Sequence, residues 1–169
     1  MPVDRANFRD LAGAFPSGVT IVTTVDERGT PRGLTTQAFL GLSTEPPLVL
    51  VSLDRTSRTL AALRRSGSFV VNVLRSGSEE LSTRFATKAD DKFDGVRWTP
   101  STVAGGAPVL VDAATAFIEC AVADVIEKGD HVMFIGSVEG GRVIGGPPLL
   151  YYRRTYASWP EEKPAPPVL

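Results

Sequence analysis

One cysteine, one histidine and no sustained apolar run leave this chain of 169 residues without several common chemistries. With Cys120 alone there is no internal disulfide and no cysteine metal cluster. Its neighbours Phe117, Ile118 and Val122 suggest a buried strand, so Cys120 reads as an inert core thiol. With His131 alone there is no histidine cluster, and the acids near it show no ligand spacing, so no metal is expected. No segment reaches the roughly 18 apolar residues of a membrane span. The start Met1-Pro2-Val3-Asp4-Arg5 lacks the apolar centre of a signal peptide, and a soluble cytoplasmic protein is the expectation. Charge of one sign is also missing. The net charge is −1, with Lys and Arg spread along the chain, so nucleic acid is not an expected partner. There is no Gly-x-Gly-x-x-Gly after a strand, no Walker motif and no Gly-x-Ser-x-Gly.

What is present is enough apolar content, 43%, for a real core. A single domain over 1–159 is expected, followed by a Pro-rich and Glu-rich disordered tail over 160–169. Asp4 can cap a first helix whose Phe8, Leu11, Ala12 and Phe15 share one apolar face. Residues 19–25 are strongly β-branched, and a polar turn leads to a second strand through Leu34 to Leu42. Strand 48–53, a helix ending at Ser66-Gly67 and strand 69–74 come next. Ser78 with Glu79 and Glu80 starts a short helix through Phe85, acids first, as the helix dipole favours. Residues 86–107 are a polar, Gly-rich excursion anchored by Phe93 and Trp98. Two long β segments, 116–126 and 132–138, flank a turn at 127–131, and a last strand lies near 149–152. Many strands with short connections point to a mainly β fold, an antiparallel barrel with peripheral α-helices. The strand–helix–strand stretch from 48 to 74 keeps a doubly wound parallel sheet as the alternative.

Three places carry chemistry. Where the strand ending at Leu53 gives way to a helix, Thr56, Ser57 and Thr59 crowd together with Arg55 and Arg58. A helix start offers free N–H groups and a positive dipole end, so the junction suits a phosphate, although Thr56 or Ser57 is equally an ordinary cap and Arg58 a solvated side chain. The segment Gly33-Leu34-Thr35-Thr36-Gln37-Ala38-Phe39 puts small and polar residues where a barrel wall prefers Val or Ile. It either admits a flat heteroaromatic ring or forms a solvated edge strand. Asn72 interrupts an apolar strand; a buried amide is costly unless paired, so it bridges backbone groups or meets a polar ligand.

Taken together, these residues resemble the short-chain flavin reductases, the reductase halves of two-component flavin monooxygenases. The likeness runs from about residue 7 to 156. It is carried by Phe15-Pro16-Ser17-Gly18-Val19-Thr20, Gly33 to Phe39, Pro46-Pro47-Leu48-Val49 and Asp54-Arg55-Thr56-Ser57-Arg58-Thr59. It continues through Phe69 to Leu74, Leu81-Ser82-Thr83-Arg84-Phe85, Phe117 to Cys120, Gly129-Asp130-His131 and Pro148 to Arg153. The resemblance implies an FMN-binding split β-barrel of the antiparallel Greek-key type. It implies a homodimer holding FMN or FAD near its interface, with NADH or NADPH as co-substrate. Hydride would pass from nicotinamide to flavin, and reduced flavin would leave for a partner monooxygenase. Thr35, Thr36, Gln37 and Ala38 would line the ring. Ser52, Ser57, Arg58 and Thr59 would hold the ribityl and phosphate end. Asn72, Ser82 and Phe85 would complete the pocket. His131, the candidate catalytic residue, would sit near the nicotinamide with Tyr152 and Arg153. Two departures stand out: Gln37 replaces the family's usual Ser, and Arg154 its frequent Gly. The alternative within the same fold is a flavin-binding protein or FMN-dependent oxidase without free-flavin turnover; outside it, a non-enzymatic interaction module.

Overall fold

The computed structural model describes residues 2–160, so the tail expected from 160 onward lies almost wholly outside the described residues. Helix α1 spans Arg5–Gly13, and Asp4 caps it by accepting the Asn7 N–H at 2.8 Å. Short β1 (Ser17–Gly18) precedes β2 (Thr20–Val25), β3 (Pro31–Thr36), β4 (Phe39–Thr44) and β5 (Pro47–Asp54). Helix α2 (Arg58–Ser66) leads to β6 (Ser68–Leu74) and then α3 (Glu79–Ala86). The polar excursion holds only the two-residue strands β7 (Thr99–Pro100) and β8 (Pro108–Val109), which pair with each other. A single 3-10 turn (Val111–Ala113) precedes β9 (Ala114–Lys128) and β10 (His131–Val143), and β11 (Leu149–Tyr152) and β12 (Thr155–Ser158) end the fold.

The main sheet has seven strands in the order β3-β2-β6-β9-β10-β5-β4, and β1-β11-β12 form a second, small sheet. Every strand pairing is antiparallel. The doubly wound alternative is therefore overturned. β5 and β6, the strands on either side of α2, are not neighbours, because β9 and β10 lie between them.

The expected strand from Leu34 to Leu42 is two strands. β3 pairs with β2, whereas β4 pairs with β5, and the chain bends at Gln37-Ala38 to change partners. The two edges of the main sheet are thus consecutive in sequence. At that bend the chain is bound to β5: Thr36 Oγ1 donates to the Ser52 carbonyl at 3.2 Å, and the Ser52 N–H donates to the Ala38 carbonyl at 3.0 Å.

Alternation along the strands builds a core on each face of the sheet. Val22, Val51, Leu53, Phe69, Val71 and Phe134 pack with Leu63 of α2. The residues one step away, Ile21 and Leu74, pack instead with Phe85, Leu110 and Leu149. Cys120 is fully buried in the first cluster, and burial, with Glu139 and Glu119 nearby, pushes its thiol up to about 12. Gly136 lies against Phe69 and Cys120, where a Cβ would meet the Phe69 ring at 2.6 Å, so only glycine fits. Phe93 stacks edge-on against Phe85 and Trp98, tying the excursion to the core as expected.

Two elements depart from expectation. The apolar side of α1 covers nothing: none of its residues is buried, and Phe8, Leu11 and neighbouring Phe15 are 60, 62 and 78% exposed. Strand β12 is an addition, reached from β11 by a turn in which Arg153 and Arg154 both adopt positive φ, 45° and 65°.

Candidate functional site

The apolar run of β5 ends at Asp54, and the chain reverses into α2 within three residues. Asp54 organises that reversal. Its carboxylate accepts the Thr56 N–H at 2.6 Å and the Thr56 hydroxyl at 2.7 Å, and these bonds hold it below the usual carboxylate range. The Asp54 carbonyl accepts the Ser57 N–H at 3.0 Å. Ser57 then caps α2 by accepting the Thr59 N–H at 3.2 Å, and Gly67 closes the helix in the left-handed conformation. Thr59, Ala62 and Leu63 form the buried face of α2.

The two arginines of the junction diverge. Arg55 turns to the β9–β10 turn, pairing with Glu127 at 2.9 Å and donating to the Gly129 carbonyl at 2.9 Å. Glu127 is shared with Arg64. Arg58 instead faces a cavity of about 210 Å³ between the start of α2, strand β3 and the segment after α3. Leu34, Phe85 and Phe93 give this cavity apolar walls, while Thr35, Ser57 and Thr59 add hydroxyls. Its charged lining is Arg32, Arg58, Lys88 and Lys92 against Asp54 and Asp90, a net positive set. That donor set suits a ligand with a flat or apolar body and an anionic tail. Gly33 belongs to the wall because a Cβ there would meet Phe85 Cε1 at 2.9 Å and push the ring out of place.

Of the residues singled out from the sequence, Gly33, Leu34, Thr35, Thr56, Ser57, Arg58, Thr59 and Phe85 come together in this cavity. The others do not line it. Thr36 ties the end of β3 to β5, Ser52 gives its backbone to the same tie, and Gln37 and Ala38 are exposed at the bend. Asn72 takes the backbone-bridging option: it is fully buried and donates to the Ile21 carbonyl and Thr23 Oγ1, both at 3.1 Å, and accepts the Leu110 N–H at 2.8 Å. Ser82 is likewise buried, its hydroxyl paired with the Tyr156 hydroxyl at 2.9 Å, while its carbonyl accepts Thr35 Oγ1 at 2.6 Å. Tyr152 and Arg153 stand at the β11–β12 turn beside α1, where the Arg153 N–H donates to the Gly13 carbonyl at 3.1 Å. His131 opens β10 directly opposite Asp54, half-exposed, with Nδ1 2.7 Å from the Asp130 carboxylate.

Four charged wall residues escaped the sequence reading: Arg32, Lys88, Asp90 and Lys92. The last three lie in the irregular excursion, where charges look like ordinary solvated ones. Lys92 is half-buried and donates to the carbonyls of Gly33 at 3.2 Å and Phe85 at 3.0 Å, stitching that segment to the wall. Burial, with Arg58 nearby, pushes its ammonium down. Its place just before the anchoring Phe93 was the available signal. Among the described residues, no group of three or more His, Cys, Asp or Glu is placed to hold a metal ion, and no helix is long and apolar enough to cross a membrane.

Comparison with known proteins bears on the same fold. A flavin reductase (NADH) of Kitasatospora aureofaciens is 48% identical over 167 residues, covering 95% of this chain and 85% of that one. The crystal structure of nitrilotriacetate monooxygenase component B from Mycobacterium thermoresistibile superposes with a TM-score of 0.89 at 40% identity, covering 98% of this chain and 92% of that one. An NADH:FAD oxidoreductase of Streptomyces globisporus, solved in complex with NAD and FAD fragments, superposes with a TM-score of 0.87 at 32% identity, covering 95% and 96%. The family described as flavin reductase like domain matches residues 12–160, and this chain belongs to it.

Proposed function

We propose that the chain is an NAD(P)H:flavin oxidoreductase that reduces FMN or FAD with NADH or NADPH and supplies reduced flavin to a partner monooxygenase. The observation that carries this reading is the cavity at the β5–α2 junction, where Arg58 and the hydroxyls of Ser57 and Thr59 converge beside the apolar ring of Phe85. The relatives named as a flavin reductase (NADH) and a monooxygenase component B support it.

A flavin held in this cavity would supply the hydride-accepting redox chemistry, with the nicotinamide as donor. The protein's own task is to bind and orient. Arg58, Ser57 and Thr59 grip the phosphate end, the guanidinium offering paired donors that match phosphate oxygens. Thr35 is braced by its bond to the Ser82 carbonyl and so presents a fixed edge of the wall. His131, across the strand pair from Asp54, stands at the nicotinamide side of the site. The homodimer belongs to the same proposal. The exposed Phe8, Leu11 and Phe15 on and after α1 meet a second copy, and exposed Gln37, Ala38, Tyr152 and Arg153 join the site near that interface.

The test is to follow loss of NADH and of NADPH absorbance with FMN, FAD and riboflavin added in turn. Oxidation that depends on added flavin and continues over many turnovers is expected. A protein that oxidises neither nucleotide with any of the three overturns the proposal.

A further inference from the structure

The anion seat at the start of α2 already has an occupant from the chain itself. Asp90 Oδ1 lies 2.5 Å from Arg58 Nη1 and 3.8 Å from Arg32 Nη1, and all three side chains line the same cavity. We infer that Asp90 is a built-in competitor for the flavin phosphate, holding the Arg58 guanidinium until a phosphate displaces it and so reducing the advantage of phosphorylated flavins. This rests on reading the cavity as the flavin-tail site.

Three features of the segment support that role. First, the segment is fixed on both sides of Asp90, whose own side chain is held by its ion pairs. At one end the Thr87 N–H and hydroxyl donate to the Arg84 carbonyl, at 3.2 and 2.7 Å. At the other end Lys92 is stitched to Gly33 and Phe85, and Phe93 is locked against Phe85. Between these anchors the Asp90 side chain is 72% exposed, and among the described residues its ion-pair partners are Arg58 and Arg32 alone. It can leave without breaking a strand ladder or a core contact.

Second, the chemistry of the two anions is matched but unequal. A carboxylate and a phosphate present the same oxygen pair to a guanidinium. The Arg58 guanidinium beside Asp90 holds that carboxyl below its ordinary range, so it is charged at neutral pH and available to pair with Arg58 when the seat is empty. A phosphate carries nearly two charges and three acceptor oxygens. It wins the seat, but only after releasing Asp90, whose charge then lies close by and repels it.

Third, the energetics fit a modulator and not a block. An apparent affinity is the intrinsic one reduced by the fraction of molecules whose seat is open. Exposed pairs of this kind have a pairing constant of roughly 1.4 to 5, which leaves the seat open in a fraction of molecules that lowers the apparent affinity roughly two- to six-fold. A reductase whose product must leave for another protein is served by such a grip, because the returning carboxylate takes over the guanidinium as the phosphate departs.

The test uses quenching of flavin fluorescence to measure Kd for FMN and for riboflavin, which lacks the phosphate, with the unaltered protein, Asp90→Asn, Asp90→Ala and Arg58→Ala. Far-UV circular dichroism checks that each variant is folded. Both Asp90 variants are expected to bind FMN about two- to six-fold more tightly, with riboflavin changed by less than about 1.5-fold. Arg58→Ala is expected to weaken FMN and leave riboflavin nearly unchanged. If the Asp90 variants leave the ratio of FMN to riboflavin affinity where it was while Arg58→Ala lowers it, the competitor role is overturned and the phosphate seat stands. If Arg58→Ala weakens both ligands equally, the seat itself is misassigned and the inference falls with it.

Discussion

Asn72 shows what a single residue discloses and what it conceals. An amide inside Phe69 to Leu74 is conspicuous in the sequence, and its need for partners follows from elementary physical chemistry. The partners themselves were out of sight, because Leu110 lies 38 residues away on an irregular stretch. With both ends of the amide engaged inside the protein, its role is to bind the β2–β6 ladder to the chain after β8. Asn72→Ala strands the Leu110 N–H and is expected to lower stability by about 2–3 kcal/mol. Urea unfolding measures that loss. FMN affinity of the folded fraction should change by less than about two-fold, since a buried partner bond and not a ligand contact is removed. Cys120, read correctly as an inert core thiol, needed no distant information: its apolar neighbours sufficed, and burial disfavours its thiolate.

At the scale of elements, α2 was legible almost to the residue because its signals are local: hydroxyls at the start, Gly67 at the end. What the local signals could not separate is whether Ser57 caps the helix or holds a ligand, since one hydroxyl serves both. Ser57→Asp separates the roles. Aspartate is as good a cap as serine, so stability should stay within about 0.5 kcal/mol by thermal unfolding. The added negative charge should weaken FMN several-fold and spare riboflavin, read by the same fluorescence titration. Equal weakening of both flavins would contradict a phosphate at this cap. The bend at Gln37-Ala38 was not legible, for β-favouring residues continue on both sides of it. What divides β3 from β4 is the identity of their partners, β2 and β5, which no local pattern encodes. The wall residues Lys88, Asp90 and Lys92 were hidden for the converse reason: they lie where the chain follows no period at all.

For the whole molecule, antiparallel architecture could be anticipated from the missing β–α alternation in the last third of the chain, whereas strand order could not. The face of α1 is the clearest sign that one chain is not the whole. Its periodicity was read correctly, yet the apolar side faces outward. Light scattering on a sizing column should return twice the chain mass. Leu11→Glu should halve it by setting a charge into apolar contact, and should lower flavin-dependent NAD(P)H oxidation with it. A native protein that elutes at the single-chain mass removes the second copy from the proposal. The β11–β12 hairpin has a consequence of another kind. Its two arginines occupy a backbone shape that disfavours side chains by about 1–2 kcal/mol each. The exposed contact of Arg154 with Asp10, at 3.5 Å, returns little of this. The chain therefore carries an unclaimed reserve of heat resistance: Arg154→Gly should raise the melting temperature by about 2–4 °C in calorimetry, the shift that roughly 1 kcal/mol produces in a protein this size.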